Sequence, residues 1–212
     1  MTNNEKVFNH INQEVTENIG KYGQFIFEKF NWPLLDSVRD EICECLIIGC
    51  SQAAITLTNH LLEKSLKMFL FHVEPSTQDY TEAKEIEAHF NKMNELHGNK
   101  DLHDTINNCC SKGLISKEEK LQLHIFREKF RNAFGHAQPD KTFGQSEKKV
   151  LVFNLMKNVE IPKPEVVKIT DFPFLHDYKQ KEIADTNCGE YFSYVDNLIK
   201  GVLPKLFKMP TL

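Results

Sequence analysis

The 212-residue sequence has no apolar run long enough to cross a bilayer. Its most apolar stretch, Ile42 to Leu57, is interrupted by Glu44 and Gln52 and falls short of the roughly 20 residues a spanning helix needs. Nor does the polar opening Met1-Thr2-Asn3-Asn4-Glu5-Lys6 lead into an apolar secretory segment, so a cytoplasmic location and no membrane partner are expected. There is no Gly-rich phosphate loop, no Ser-His-Asp pattern and no pair of carboxylates spaced for acid–base work. Basic charge is not in excess: 26 Lys and Arg face 30 Asp and Glu, a net −4. That argues against an extended surface for coating nucleic acid, while leaving room for a local basic patch. Six cysteines are present, but Cys43-x-Cys45 and Cys109-Cys110 lack the two-to-four-residue separation usual between paired zinc ligands. We read them as reduced structural thiols, and expect neither metal nor cofactor.

What is present is helical periodicity. Val7, Ile11, Val15 and Ile19 recur every four residues, a single helix stripe that Gly20 and Gly23 are expected to interrupt. Asn31-Trp32-Pro33 reads as a turn, with Pro33 suited to the first position of the next helix. From Leu34 to His72 the apolar residues form a wide band, as in a helix central to a bundle; a break near Gly49 is left open. Thr81–Leu96 and Leu102–Lys112 read as further helices, the latter with Gly113 at its C-terminal end. Ser116 followed by Glu119 is a capping box that opens a helix expected to reach about His136. Lys149–Leu155 and Val159–Ile169 are rich in β-branched residues and read as a hairpin, with Pro162 and Pro164 weakening the second strand. Asp171–Phe174 reads as irregular, and Gly189–Phe207 as a last helix that Pro204 kinks or ends. The expectation is one domain: a mainly all-α bundle over about 5–138, a small β-hairpin-like insertion over about 148–170, and a C-terminal helix over about 189–207. Phe25, Phe27, Phe30 and Trp32 are read as core or dimer contacts rather than base-stacking platforms.

The chemistry concentrates at Arg131-Asn132-Ala133-Phe134-Gly135-His136. On a helical wheel of about 100° per residue, Leu123, Phe126, Phe130, Ala133, Phe134 and Ala137 share a buried arc, with Arg131, Asn132 and His136 on the exposed side. Asn132 and His136, at i and i+4, are spaced to touch, whereas Arg131 and His136 stand roughly 140° apart. If they act together, either the helix breaks near Gly135 or a second copy completes the site across a two-fold axis. Arg127 and Lys129 are candidates to widen a phosphate-binding patch; the structural alternative for Arg127 is a pairing with Glu128. Glu63 either meets Arg131 or His136 across the bundle or pairs with Lys67 at i+4.

Arg131-Asn132-x-x-x-His136, together with the upstream segment Ala54 to Lys67, resembles the HEPN domains and their Arg-x(4–6)-His motif. The resemblance covers about Leu34 to Ala137 and the last helix. It implies a metal-independent endoribonuclease of the kind found in toxin and antiphage defence systems, acting as a homodimer on RNA. His136 would be the general acid or base, Arg131 the phosphate-stabilising cation, and Asn132 would orient His136 or contact the phosphate, with an antitoxin or other defence protein as a partner. A subgroup paired with nucleotidyltransferase antitoxins has a Tyr two residues after the His; here that position is Gln138. The alternative is a non-catalytic HEPN-like module that binds RNA, nucleotide or a protein.

Overall fold

A computed structural model describes residues 2–74, 82–132, 147–152, 163–168 and 173–207. The fold is all-α. Helix α1, Asn3–Tyr22, starts at a capping box in which the Glu5 backbone N–H donates to the Thr2 hydroxyl and the Thr2 N–H donates to the Glu5 carboxylate. It runs through Gly20, contrary to the expected interruption; nothing lies close to Gly20, so the missing side chain leaves no packing defect to break the helix. A short α2, Gln24–Phe27, leads to a turn where both carboxylate oxygens of Asp36 accept backbone N–H groups, from Phe30 at 2.7 Å and Trp32 at 2.9 Å.

The long apolar band resolves into two helices, α3 (Pro33–Ile47) and α4 (Ser51–Val73). Gly49 makes the break: its φ of 75° lies in the left-handed region, and the following Cys50 N–H closes back on the Cys45 carbonyl at 2.8 Å. Helix α5 (Ala83–Met93) runs into a π-helical turn, Asn94–Gly98. Helix α6 (Leu102–Ser111) is capped by the Asp101 carboxylate, which accepts from Asp104 N–H at 2.8 Å. It ends as the sequence suggests, with Gly113 at φ 70° and the Leu114 and Gly113 N–H groups returned to the Cys109 and Cys110 carbonyls. Helix α7 (Lys117–Phe126) opens on the Ser116–Glu119 capping box.

Two antiparallel strands, β1 (Glu147–Val152) and β2 (Lys163–Lys168), pair Glu147 with Lys168 and Val152 with Lys163. The rest of the expected insertion, 153–162 and 169–170, lies outside the described residues. The last helix, α8, spans Pro173–Leu206 and begins sixteen residues before the expected start. Its first half escaped the periodicity because Lys179–Glu182 and Lys181–Asp185 pairs make most of that surface polar, with Ile183 and Ala184 facing the core. Pro204 falls in the last turn, where the helix is already ending.

Helix α4 is the centre of the bundle, packed on α3, α6 and α8. Its Ile55, Leu61, Leu62, Leu66, Phe69 and Leu70 are fully buried, each contributing on the order of 2 kcal/mol of apolar transfer. Of the N-terminal aromatics, Phe30 is buried and Phe25 and Trp32 pack on the core, while Phe27 is 86% exposed. Among the described residues one ion pair is fully buried: Arg39 Nε of α3 donates to Asp196 of α8 at 2.7 Å. The same guanidinium donates through Nη1 to the Phe25 and Glu28 carbonyls.

Asp196→Ala is expected to destabilise the fold by about 3–5 kcal/mol in urea unfolding, because it strands a buried guanidinium. The double variant Arg39→Met/Asp196→Leu is expected to recover only part of that loss, since the Phe25 and Glu28 carbonyls then lack their donor. Full recovery would show that the carbonyl contacts contribute nothing.

Candidate functional site

The regular helix carrying the Arg–His motif ends at Phe126, and residues Arg127–Asn132 form a π-helical turn. Hydrogen bonds from i to i+5 widen the turn, so residues advance by less than the wheel assumed, and its angles fail beyond Phe126. Such turns are frequent at functional sites. The turn is fixed by an aromatic cluster. Phe126 and Phe130 stack at 5.7 Å between centroids, and both pack on Tyr191 of α8, at 5.0 and 4.7 Å. Tyr191 is itself locked by its hydroxyl, which donates to Asn59 of α4 at 2.8 Å.

This geometry corrects the expected exposure of Arg131. Its side chain is only 33% exposed and turns toward α4, where Nη2 lies 3.6 Å from Glu63 Oε2. Both readings of Glu63 hold at once: its other oxygen accepts from Lys67 Nζ at 2.9 Å, and Lys67 also donates to the Gly98 carbonyl. Arg131 thus faces a carboxylate that is already shared and lies just beyond hydrogen-bonding distance. Leu123, Phe126 and Phe130 are buried as the wheel required. His136, Ala133, Phe134 and Ala137 lie outside the described residues, and with His136 goes the expected Asn132–His136 contact.

Arg127 and Lys129 part company. Lys129 Nζ donates to Asn187 of α8 at 2.7 Å and lies 5.1 Å from the centroid of the Phe130 ring, so it is tied to the α8 side rather than to Arg131's partner on α4. Arg127 reaches Glu128 at 3.7 Å, the alternative pairing, and is one-fifth exposed. Its Nε is buried without a hydrogen-bond partner among the described residues.

The α6–α7 packing brings two histidines distant in sequence together: the rings of His103 and His124 lie 4.6 Å apart between centroids with planes 37° apart. His124 Nε2 meets Asn107 Oδ1 at 3.2 Å. Burial, reinforced by the charges of His103, Arg127 and Lys120, pushes the His124 pKa below its usual value. Nearby, the Asp101 carboxyl is lowered first by its bond from Asp104 N–H, then by the charges of His103, Arg127 and Arg131. Arg131, Arg127, His124 and His103 therefore form one electrostatic neighbourhood across the start of α6 and the end of α7. No linear motif links residues 21 positions apart, so only the helix pairing reveals it.

Other chemistries find little footing. Among the described residues no cluster of three or more His, Cys, Asp or Glu is placed to hold a metal. No described helix is long and apolar enough to cross a membrane. A 150 Å³ cleft between α1, α4 and α8 is lined by opposed charges, Lys21 and Lys181 against Glu14 and Asp185, and by none of the motif residues. All six cysteines are free. Burial pushes the Cys43 thiol up to about 11 and Cys109 up to about 12, far from a nucleophilic thiolate. Iodoacetamide at pH 8 is accordingly expected to label exposed Cys50 and to leave Cys43 and Cys109 unmodified in the native protein, as read by peptide mass mapping. Fast labelling of Cys109 would contradict its burial.

Comparison of the chain with protein-family models, with curated proteins and with solved structures finds no match, so what the site can do is a matter of its own residues' chemistry.

Proposed function

We propose that this chain is a metal-independent endoribonuclease of the HEPN type, working in the cytoplasm as a homodimer in a toxin or antiphage defence system. The observation that carries the reading is Arg131: a guanidinium on a π-helical turn, partly desolvated and without a hydrogen-bonded carboxylate among the described residues. A planar guanidinium fork suits the non-bridging oxygens of a phosphodiester.

In the proposed reaction the RNA 2′-hydroxyl is the nucleophile. One His136 imidazole takes the 2′-hydroxyl proton as the new bond to phosphorus forms. A protonated imidazole, supplied by the second copy of the motif, gives a proton to the departing 5′-oxygen. The products are a 2′,3′-cyclic phosphate and a free 5′-hydroxyl. Histidine serves both steps because its ordinary pKa lies near neutrality. Arg131 stabilises the charge that grows on the phosphoryl oxygens, and no metal ion takes part. Glu63 sets the direction of Arg131, Asn132 orients the imidazole, and Arg127 extends the phosphate contacts. Lys129, tied to α8, contributes to the general field only. Gln138 in place of Tyr removes the acceptor for nucleotidyl modification, so control passes to an antitoxin or defence partner that covers the dimer cleft.

His136→Ala is expected to lower cleavage of RNA by at least about 100-fold while the thermal midpoint is unchanged, and EDTA is expected to leave the wild-type rate intact. Gel assays with end-labelled RNA read both. Persistent cleavage by the variant, or a requirement for a divalent ion, would sink the mechanism; retained RNA binding without cutting by the wild type would favour a binding module.

A further inference from the structure

His103 and His124 play no part in the proposed reaction, and Arg127 enters it only by extending the phosphate contacts. His103 is exposed on α6, and its ring lies on that of His124. His124 is anchored at Nε2 by Asn107, and its Nδ1 is buried without a partner among the described residues. Arg127 and Lys120 act on His124 against the carboxylate of Glu128. Among the described residues Arg127 reaches Glu128 only at 3.7 Å, and its Nε has no hydrogen-bond partner. The neighbourhood thus places a guanidinium one helical turn from His124, whose ring packs on that of the exposed His103.

We propose that His103, His124 and Arg127 form a nucleotide subsite flanking the phosphate held by Arg131. Arg127 binds the neighbouring backbone phosphate of a single strand. The exposed face of His103, supported from behind by His124, stacks on the adjoining base. Guanidinium forks recognise phosphate, and imidazole rings stack with unpaired bases, without either contact reading sequence. The site therefore fits single-stranded rather than duplex substrate. That the strand is RNA rests on the ribonuclease reading above; the subsite itself does not depend on cleavage.

The test uses the full chain and a fluorescent single-stranded oligonucleotide with every sugar 2′-O-methylated, which cannot be cut. Anisotropy is measured across a salt series. His103→Ala, an exposed change, is expected to weaken binding by about tenfold with no shift in thermal midpoint. Arg127→Gln is expected to weaken it comparably and to reduce the slope of log affinity against log salt by about 0.7, the share of one phosphate contact. Binding of both variants within about twofold of wild type, or failure of the wild type to bind the oligonucleotide, overturns the subsite. Variant effects as expected on a wild type that leaves unmodified RNA intact uphold the subsite and overturn the ribonuclease proposal.

Discussion

The guanidinium of Arg39, with none of its surface exposed, joins three segments that are distant in sequence. Its Nε engages Asp196 of α8, its Nη1 takes the Phe25 and Glu28 carbonyls at the end of α2, and Phe30 and Phe192 rings lie 5.3 and 5.9 Å from its Cζ. Lys200 closes the network by pairing with Asp196 at 2.6 Å and with Glu28. Burying two opposite charges costs several kcal/mol per ion before their attraction is counted. Only a geometry that satisfies most of their hydrogen bonds recovers that cost. An apolar contact would tolerate sliding of α8 along α4, whereas this pair does so only at the cost of stranding a charge, and it therefore sets the register of the last helix.

That register is what places the candidate site. Tyr191 lies five residues before Asp196 on α8, and it is the surface on which Phe126 and Phe130 pack. Its hydroxyl bond to Asn59 ties the same point to α4, one turn before Glu63. Position along α8 thus fixes Tyr191, Tyr191 fixes the π-helical turn, and the turn delivers Arg131 to Glu63. A shift of one residue anywhere in this chain of contacts would carry the guanidinium away from the carboxylate.

Much of this was legible in the sequence, and the failures share a cause. The central role of α4, the Ser116 capping box and the Gly113 stop are decided within a few residues, by burial pattern and backbone hydrogen bonds. The buried Leu123, Phe126 and Phe130 follow from the same periodicity. What was misread depends on partners far away. The first half of α8 shows a polar surface because much of it faces water, and its helicity follows from continuity with the packed second half. The π-turn has no sequence signature: it is the solution that seats two Phe rings on one Tyr. His103 and His124 meet only because α6 and α7 fold back on one another at Gly113. The Arg–His spacing drew attention to the right helix end, but the wheel assigned Arg131 to solvent because it assumed a regular turn.

The weakness of the Arg131–Glu63 contact is itself consistent with a working site. A bidentate guanidinium–carboxylate pair would hold both donors of the fork, and a phosphate would have to break it before binding. At 3.6 Å, with Lys67 bound to the other oxygen, Glu63 attracts Arg131 without satisfying it. A partly exposed pair of this kind contributes about 0–1 kcal/mol to stability. A charge-assisted bond to a phosphate is stronger, about 1.5–3 kcal/mol, so the exchange favours the ligand. In the proposed reaction the carboxylate would serve as a guide: it would limit the directions open to the guanidinium, lower the ordering cost of binding, and yield to an arriving anion. The same logic separates Lys129 from the site, since its ammonium already has a 2.7 Å acceptor in Asn187 and would gain less from a phosphate.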